Sequence, residues 1–252
     1  MKSGWGTEVA VLSYQLLFAP LIKRWERYSP LSDDDKQAVL ALSCQPRSFG
    51  RDAYLVRDGE PAVNCHLLLT GHGFRQKLVK SGARQIISIH LPGEFVDLQN
   101  LFFDVGDHNV QCCNRSDVAV IPKAALIQIA AERPSVARAM WLDTLIDASI
   151  SREWVVNVGR RDAKTRIAHL LCELVTRARN AGQTRNDSCE FPMTQEQIAD
   201  ATGLTPVHTN RTLQTLRRDG LISLSSSKLT VLDWERLSEH GDFSERYLHH
   251  AG

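Results

Sequence analysis

Residues 194–218 have the pattern of two short helices joined by a tight turn. Gly203 stands between the two helices, and glycine adopts the left-handed backbone conformation of such turns without strain. Thr205 suits the N-cap of the second helix, and Pro206 suits its first position because proline has no N–H to leave unpaired. This arrangement is typical of a helix-turn-helix, whose second helix can enter the major groove of DNA.

The second of these helices has an apolar side and a polar side. Leu213 and Leu216 have the spacing of a buried face. The residues left on or beside the outer face are His208, Asn210, Arg211, Gln214, Arg217 and Arg218. No acidic residue occurs between Thr205 and Arg218, so the arginines form a local basic patch in a chain of formal net charge +1. A helical hairpin with a solvated face is the alternative, but the turn, the cap and the apolar spacing together favour DNA binding.

The composition is that of a globular protein. The chain has 252 residues and is 43% hydrophobic, which is enough for a sizeable core and for one or two domains. It contains no run of about 18 apolar residues, so we expect no membrane span. Residues 9–22 are apolar, but polar residues and Pro20 interrupt them, and they lack the flanks of a signal peptide. We interpret them as the leading helix of a cytoplasmic protein.

Neither the cysteines nor the histidines have the spacing of a metal site. The six cysteines match no zinc ribbon and no Cys-x-x-Cys motif, so we expect reduced, mostly buried thiols, no metal and no cofactor. Cys112 and Cys113 are adjacent on a predicted strand and should point to opposite sides. We expect one core cysteine and one incidental cysteine, with an exposed redox-sensitive thiol near Arg115 as the alternative.

Motifs of the common enzyme classes do not occur. The chain has no P-loop, dinucleotide fingerprint, nucleophile elbow or HExxH helix. We therefore expect that it is not an enzyme.

The chain changes its hydrophobic period near residue 123. Short apolar runs separated by glycine-bearing turns extend from residue 47 to residue 121, which predicts an antiparallel sheet closed into a barrel or sandwich. Pro134 then begins a helix of about 25 residues that continues through Val158. Too many apolar side chains line it for one thin stripe, so we expect it to pair with a copy of itself in a two-fold dimer. Packing on its own barrel alone is the alternative.

The remaining residues predict a winged helix. A further helix follows a polar break at residues 160–162, and residues 190–193 have the pattern of a short strand. Residues 220–224 and 228–232 alternate around three serines as a hairpin, and Asp233 caps a final helix. The fold class is therefore α+β. Its three parts are residues 1–132 (N-terminal helices and barrel), 133–160 (long dimerisation helix) and 161–252 (winged helix-turn-helix).

This order of barrel, long helix and winged helix resembles the Crp/Fnr family of bacterial transcription regulators. The motifs that carry the resemblance are Asp58-Gly-Glu60, Leu69-Thr-Gly71, Leu91-Pro-Gly-Glu-Phe95, residues 159–171 and residues 194–222. The resemblance implies a cyclic-nucleotide-binding-type β-roll, a dimerising helix and a DNA-binding winged helix. It also implies control of transcription by an effector, with RNA polymerase as a partner.

Two departures from the family pattern concern the signal. Members that bind cyclic AMP carry an arginine and a hydroxyl residue after the Pro-Gly-Glu turn, where this chain has His108 and Asn109. A neutral histidine and an amide do not replace a bidentate guanidinium, so we do not expect cyclic nucleotide binding, although Glu94 remains. No cysteine precedes Cys44, which argues against the N-terminal iron–sulfur cluster of other members.

The resemblance also implies a candidate effector pocket. Its residues are Gly93, Glu94, His108, Asn109, Ser151 and Arg152. Ser151 and Arg152, midway along the long helix, fall near the place where family effectors meet it. A solvated or interface face is an equally good interpretation of these two residues.

The resemblance also assigns base contacts. Arg211 matches the arginine with which family members read a base, and guanine O6/N7 is its expected partner. Val207 stands where those members have an acidic residue and suits a thymine methyl group. His208 can donate or accept a hydrogen bond, and Asn210 suits adenine. A dimer would place two recognition helices about 34 Å apart on a palindromic operator.

Phosphate contacts are expected at the starts of both helices. Thr194, Gln195 and Thr205 lie there, and backbone N–H groups at a helix start attract phosphates. Arg217 is either a phosphate contact or half of an intramolecular ion pair, and Lys228 in the wing is a further phosphate candidate. Two other functions stay open: a small-molecule or redox sensor module with secondary DNA contact, and an effector-independent regulator.

Overall fold

The computed structural model of the chain describes residues 18–185 and 187–249. The first part of the expected leading helix, residues 9–17, lies outside the described residues, and residues 18–26 are helical (α1). Within the described residues, two compact units form. The first comprises residues 18–73 and 90–145, and the second comprises residues 74–89 and 146–249.

Antiparallel strand pairs form the sheets of the first unit. The strands between residues 45 and 122 are β1 (Gln45–Phe49), β2 (Tyr54–Val56), β3 (Asn64–Leu68), β4 (Gly73–Leu78), β5 (Arg84–His90), β6 (Asn109–Cys112) and β7 (Ser116–Pro122). In the first unit, β7 pairs with both β1 and β3, and β2 pairs with β6. Cys65 lies opposite Ile121 in the β3–β7 register, and both side chains are fully buried in the core.

Helices close one side of this core. Trp25 of α1 is fully buried and stacks on Phe95 with ring centroids 6.2 Å apart. Helix α2 (Asp33–Leu40) begins with a capping box between Ser32 and Asp35. A short 3-10 helix at Leu98–Leu101 and helix α3 (Lys123–Glu132) add Leu98 and other apolar side chains to the same core. The expected α+β architecture with an N-terminal barrel-like domain is therefore confirmed.

The expectation that only one of the two adjacent cysteines is a core residue is wrong. Cys112 and Cys113 are both fully buried, so neither is incidental and neither presents an exposed thiol near Arg115. Cys112 packs in a small core between the β2–β6 pair and neighbouring strands, and burial raises the pKa of its thiol. Cys113 follows the end of β6, where its backbone N–H donates to the carbonyl of His72.

The long helix is α4 (Pro134–Arg160), with 27 residues and a length of about 40 Å. The predicted start at Pro134 is confirmed. Several large apolar side chains on it are exposed, among them Trp141, Leu145 and Val155. Residues 141, 145, 148, 152, 155 and 159 follow one another at alternating intervals of four and three, which is the spacing of a coiled-coil seam.

The second unit contains the C-terminal helices and a three-stranded sheet. Its helices are the C-terminal part of α4, then α5 (Ala163–Asn180), α6 (Gln195–Thr202), α7 (Pro206–Arg218) and α8 (Trp234–His240). Its sheet has the order β8 (Ser188–Glu190), β10 (Lys228–Val231), β9 (Ile222–Ser225). Asp162 and Asp233 cap α5 and α8 through their side chains, the latter as expected. The short strand expected at residues 190–193 lies earlier, because Pro192 has no N–H to continue the ladder.

The described ranges contain neither a membrane-spanning helix nor a cluster of potential metal ligands. Within residues 18–185 and 187–249, no helix is both long enough and apolar enough to cross a membrane. No group of three or more His, Cys, Asp or Glu side chains in those ranges could hold a metal ion.

Candidate DNA-binding surface and effector region

The first helix of the helix-turn-helix, α6, has a complete set of local signals. The Thr194 hydroxyl accepts from the N–H of Gln197, and the Gln197 side chain accepts from the N–H of Thr194. This capping box satisfies two of the N–H groups that a helix start leaves without partners. Gly203 ends the helix in the left-handed conformation, with φ at 64°, and its N–H donates to the carbonyl of Ala199. A β-carbon at Gly203 would be strained by that backbone angle alone.

The second helix, α7, begins and packs as the sequence predicts. The Thr205 hydroxyl accepts from the N–H of His208 at 3.2 Å, and Pro206 occupies the first helical position. Leu213 and Leu216 are fully buried. The buried side of α7 therefore fixes which residues point outward.

A continuous stripe of exposed residues runs along the outer side of α7. Val207, Arg211, Gln214 and Arg218 are exposed at intervals of four, three and four, so they lie on one face of the helix. Val207 is 73% exposed, so its methyl groups are accessible on this face. Within the described part of the chain, the guanidinium of Arg211 has no hydrogen-bond or ion-pair partner. An unpaired fork of five donors on an exposed helix face can bind a guanine edge or a phosphate.

Two further candidates flank this stripe. His208 is exposed, whereas Asn210 is half-buried beside the buried Thr209. Gln214 and Arg218 share the exposed face but do not belong to the predicted contact set. The helical spacing of residues 207, 211, 214 and 218 is the signal that identifies them.

Among residues 18–185 and 187–249, Arg217 has no ion-pair partner, so the ion pair that was one of its two expected roles is not formed there. Its Nη2 donates to the backbone carbonyl of Leu224 at 3.3 Å, which ties α7 to the wing strand β9. Lys228 is exposed at the start of β10, where it lies opposite Ser225 in the register of the wing hairpin. Ser226 and Ser227 make the turn between the two strands with positive φ angles.

The three residues expected to contact phosphates at the helix starts lie at the starts of α6 and α7. Thr194 and Thr205 are the N-caps of α6 and α7, and Gln195 is the first residue of α6 and is exposed. The cap hydroxyls satisfy one N–H each, so further N–H groups of the first turns remain available to an anion.

The Pro-Gly-Glu turn of the first unit is filled from within the chain. Arg24 of α1 donates from Nη1 to Glu94 at 2.8 Å and from Nε to Asp143 of α4 at 2.7 Å. The second carboxylate oxygen of Glu94 accepts from the N–H of Leu91. A β-carbon on Gly93 would lie 2.8 Å from Pro20, so α1 packs directly against this turn.

One guanidinium shared by two buried carboxylates affects the protonation of the cluster. Burial lowers the pKa of Arg24, but Asp143 and Glu94 outweigh that effect and raise its pKa above the usual value. Burial raises the pKa of Asp143, and repulsion by Glu94 adds to the rise, while Arg24 opposes it. The cluster therefore holds a permanent cation that cannot fully compensate two negative charges.

The other residues of the expected effector pocket have local partners as well. His108 is buried, with Nδ1 2.6 Å from Asp107 and Nε2 3.3 Å from Gln99. Asn109 accepts the backbone N–H of Asp58 at 3.1 Å. These side chains thus hold the loops of the first unit together. The partners of His108 at Gln99 and of Asn109 at Asp58 are more distant in the sequence, and no local pattern marked them.

Ser151 and Arg152 lie on α4 within the second unit. The Ser151 hydroxyl donates to the carbonyl of Asp147 one turn earlier, at 2.9 Å. Arg152 is exposed at one of the seam positions of α4. A hydroxyl that bonds back to its own helix is already satisfied, and an exposed arginine is compatible with a solvated or interface face.

Comparison with known proteins agrees with this arrangement. A family model described as a Crp-like helix-turn-helix domain matches residues 165–240, and one described as a cyclic nucleotide-binding domain matches residues 46–133. The nitrogen fixation regulation protein FixK of Bradyrhizobium diazoefficiens is 32% identical over 163 residues, which cover 64% of this chain and 67% of that protein. The chain belongs to the Crp/Fnr family of transcription regulators.

Other Crp/Fnr proteins match over a larger share of the chain. The transcriptional activator protein FnrL of Cereibacter sphaeroides is 28% identical over 224 residues, covering 84% of this chain and 87% of that protein. The solved structure of FixK2 from Bradyrhizobium japonicum has a TM-score of 0.74 at 24% identity, covering 81% of this chain and all of that chain. Its low identity makes it evidence for the fold alone.

Proposed function

We propose that this Crp/Fnr regulator acts as a homodimer that binds a palindromic operator with its two α7 helices. The observation that carries the proposal is the exposed stripe of α7, in which the Arg211 guanidinium has no partner within the described residues. Arg211 reads guanine, Val207 contacts a thymine methyl group, and His208 and Asn210 contact the neighbouring base edges. Each good bidentate contact contributes roughly 1–3 kcal/mol of discrimination.

Phosphate contacts position the protein on the duplex. Thr194, Gln195 and Thr205 bind phosphates at the two helix starts, and Lys228 binds one from the wing. Arg217 holds α7 to the wing, and its remaining N–H donors bind the phosphate backbone of the DNA. These contacts carry no sequence information, so they contribute to affinity in every sequence context.

The seam of α4 supports the dimer. Trp141 is 60% and Val155 is 70% exposed, and both lie at positions with coiled-coil spacing. Exposed apolar side chains at that spacing gain about 25 cal/mol for each Å² of apolar surface that a second helix removes from water. A two-fold axis along α4 makes each helix the partner of its own copy.

A signal from the N-terminal domain is the second part of the proposal. The candidate residues are Gly93, Glu94, His108 and Asn109 in the first unit and, taken separately, Ser151 and Arg152 in the second, and cyclic nucleotides are not the effector. The ion pairs of Arg24 with Glu94 and Asp143 favour one alternative, in which the regulator needs no effector. In that case Arg24 stays bound to Glu94 in the Pro-Gly-Glu turn permanently. We further propose a cytoplasmic protein without catalytic activity or a bound cofactor that contacts RNA polymerase at its promoters.

A selection experiment tests these proposals together. Full-length protein is used to capture fragments of genomic DNA, with and without small molecules extracted from cells, and with cyclic AMP in a third arm. We expect palindromic fragments whose half-sites are separated by about 10 base pairs, and no effect of cyclic AMP. Enrichment by the extracted molecules would support effector control. Capture of fragments without a shared sequence would contradict the proposed function.

A further inference from the structure

The hairpin β4–β5 lies within the second unit and contacts α6, the first helix of the helix-turn-helix. Arg84, at the start of β5, donates from Nε to the carboxylate of Asp200 on α6 at 2.6 Å. The next residue, Gln85, donates from its amide to the backbone carbonyl of Asp200 at 2.7 Å. Both charged side chains are mostly buried, with 24% and 22% of their surfaces exposed. Glu196, one turn earlier on α6, lies 4.0 Å from the same guanidinium.

These contacts fall on the end of α6 that most needs partners. The last four carbonyls of a helix have no N–H partner within the helix, and that end carries partial negative charge. Gln85 satisfies one of these carbonyls, and Arg166 of α5 satisfies that of Thr202 at 3.0 Å. The cation of Arg84 lies at the same end, so it complements the helix dipole as well as the carboxylate of Asp200.

The hairpin is anchored at two other places in the second unit. Arg177 of α5 is buried and donates to the carbonyl of Ile89, near the end of β5, at 2.7 Å. Arg75 of β4 lies 2.8 Å from Asp147 of α4. Three helices therefore hold residues 74–89, although these residues belong to the stretch that matches the cyclic nucleotide-binding family model.

The hairpin leaves the DNA-reading surface free. Val207, Arg211 and Gln214 are exposed while Arg84 and Asp200 are paired. The paired arrangement therefore leaves these side chains of α7 accessible.

We propose that Arg84, Gln85 and Asp200 form a latch between the β4–β5 hairpin and α6. This latch fixes the position of the helix-turn-helix relative to the hairpin. Arg84 and Gln85 are positioning residues: they fix α6, and α6 fixes α7 through the Gly203 turn. A displacement of the hairpin is then transmitted to the recognition helix by the latch. This inference rests on the proposed function only where DNA affinity is its readout.

Charge reversal separates the latch from a general effect of charge on DNA binding. Arg84→Asp breaks the pair, and Lys80→Asp makes the same change in charge at an exposed position of the same hairpin. We expect Arg84→Asp to lower operator affinity at least about fivefold more than Lys80→Asp does. The double variant Arg84→Asp/Asp200→Arg restores the pair in reverse and should recover affinity to within about twofold of the wild type.

Amide hydrogen exchange tests the latch without DNA. In Arg84→Asp and in the neutral variant Gln85→Ala, exchange at residues 196–202 should accelerate, whereas Lys80→Asp should leave it unchanged. If the wild type binds no operator but exchange follows this pattern, the proposed function fails and the latch stands. Equal exchange in Arg84→Asp, Gln85→Ala and Lys80→Asp would overturn the latch. Failure of the double variant to recover affinity would overturn it too.

Discussion

The guanidinium of Arg24 lies 2.8 Å from the carboxylate of Glu94, the acidic residue of the Pro-Gly-Glu turn. The same guanidinium lies 2.7 Å from Asp143 on the long helix. The turn, the leading helix and the long helix are therefore joined through one side chain in the first unit. A ligand that needed Glu94 would have to displace a charge-assisted hydrogen bond in a buried site.

Removing Arg24 should destabilise the first unit strongly. Arg24→Met keeps much of the side-chain volume but leaves two buried carboxylates without their cation, so we expect a loss of about 3–5 kcal/mol. Asp143→Asn leaves a one-to-one pair between Arg24 and Glu94 and should change stability by less than about 1 kcal/mol. Urea denaturation of the two variants distinguishes these outcomes. Equal stabilities would show that the cluster does not hold buried charge.

The raised pKa of Asp143 should make the stability of the first unit depend on pH. Its pKa is raised from 3.8 in the folded protein, mainly by burial, so the folded state holds the proton more tightly than the unfolded state does. The stabilisation from that proton is complete below 3.8 and is lost as the pH rises through the raised pKa. As the pH rises over that window, the unfolding free energy of the wild type should therefore fall relative to that of Asp143→Asn. A difference that stays constant with pH would contradict the assignment.

His169 in the second unit should make stability change with pH in the opposite direction. Its ring is buried, with Nδ1 3.0 Å from the carbonyl of Gly241 and Nε2 3.1 Å from the hydroxyl of Tyr247. Burial and the nearby Arg161 lower its pKa below 6.5, and Glu173 only partly opposes them. The stabilisation is fully present above pH 6.5 and is lost as the pH falls through the lowered pKa.

The test for His169 is the pH dependence of unfolding. The stability of the wild type should decrease between pH 7 and pH 5 by about 1.4 kcal/mol for each unit of difference in pKa, and His169→Gln should decrease less. Parallel curves for the two proteins would exclude His169 as the titrating group.

The seam of α4 should control the oligomeric state. Val155→Asp places a charge against its own copy in a dimer, so we expect a monomer at micromolar concentration. Ile127→Asp is the matched control, because Ile127 is an exposed apolar residue on α3, away from the seam. Sedimentation velocity measures the mass of each variant. A wild-type monomer, or a Val155→Asp dimer, would rule out the seam as the interface.

Local signals made the DNA-binding half predictable from sequence. The start of α4 at Pro134, the Thr194 and Thr205 caps and the Gly203 turn depend on residues within a few positions of one another. Helical spacing then determines which side of α7 is exposed. The order of barrel, long helix and winged helix completed the family assignment, although each short motif is weak by itself.

Partners that are distant in the sequence were not predictable in the same way. The contact between Arg24 and Asp143 joins positions 119 residues apart, and no local pattern marks Arg24 for it. The burial of both Cys112 and Cys113 depends on the packing around them, which the alternation of residues does not reveal. Arg217 was expected to bind a phosphate or an acid, and its bond to the Leu224 carbonyl depends on the packing of the wing.

The base preference of Arg211 is the most direct test of the proposed function. Binding of the wild type, Arg211→Ala and Arg218→Ala to the selected operator and to its single-base variants is measured at fixed salt. We expect Arg211→Ala to lose roughly ten- to hundredfold of discrimination at one guanine position, and Arg218→Ala to weaken binding uniformly across sequences. If Arg211→Ala keeps the full sequence preference of the wild type, α7 does not read DNA as proposed.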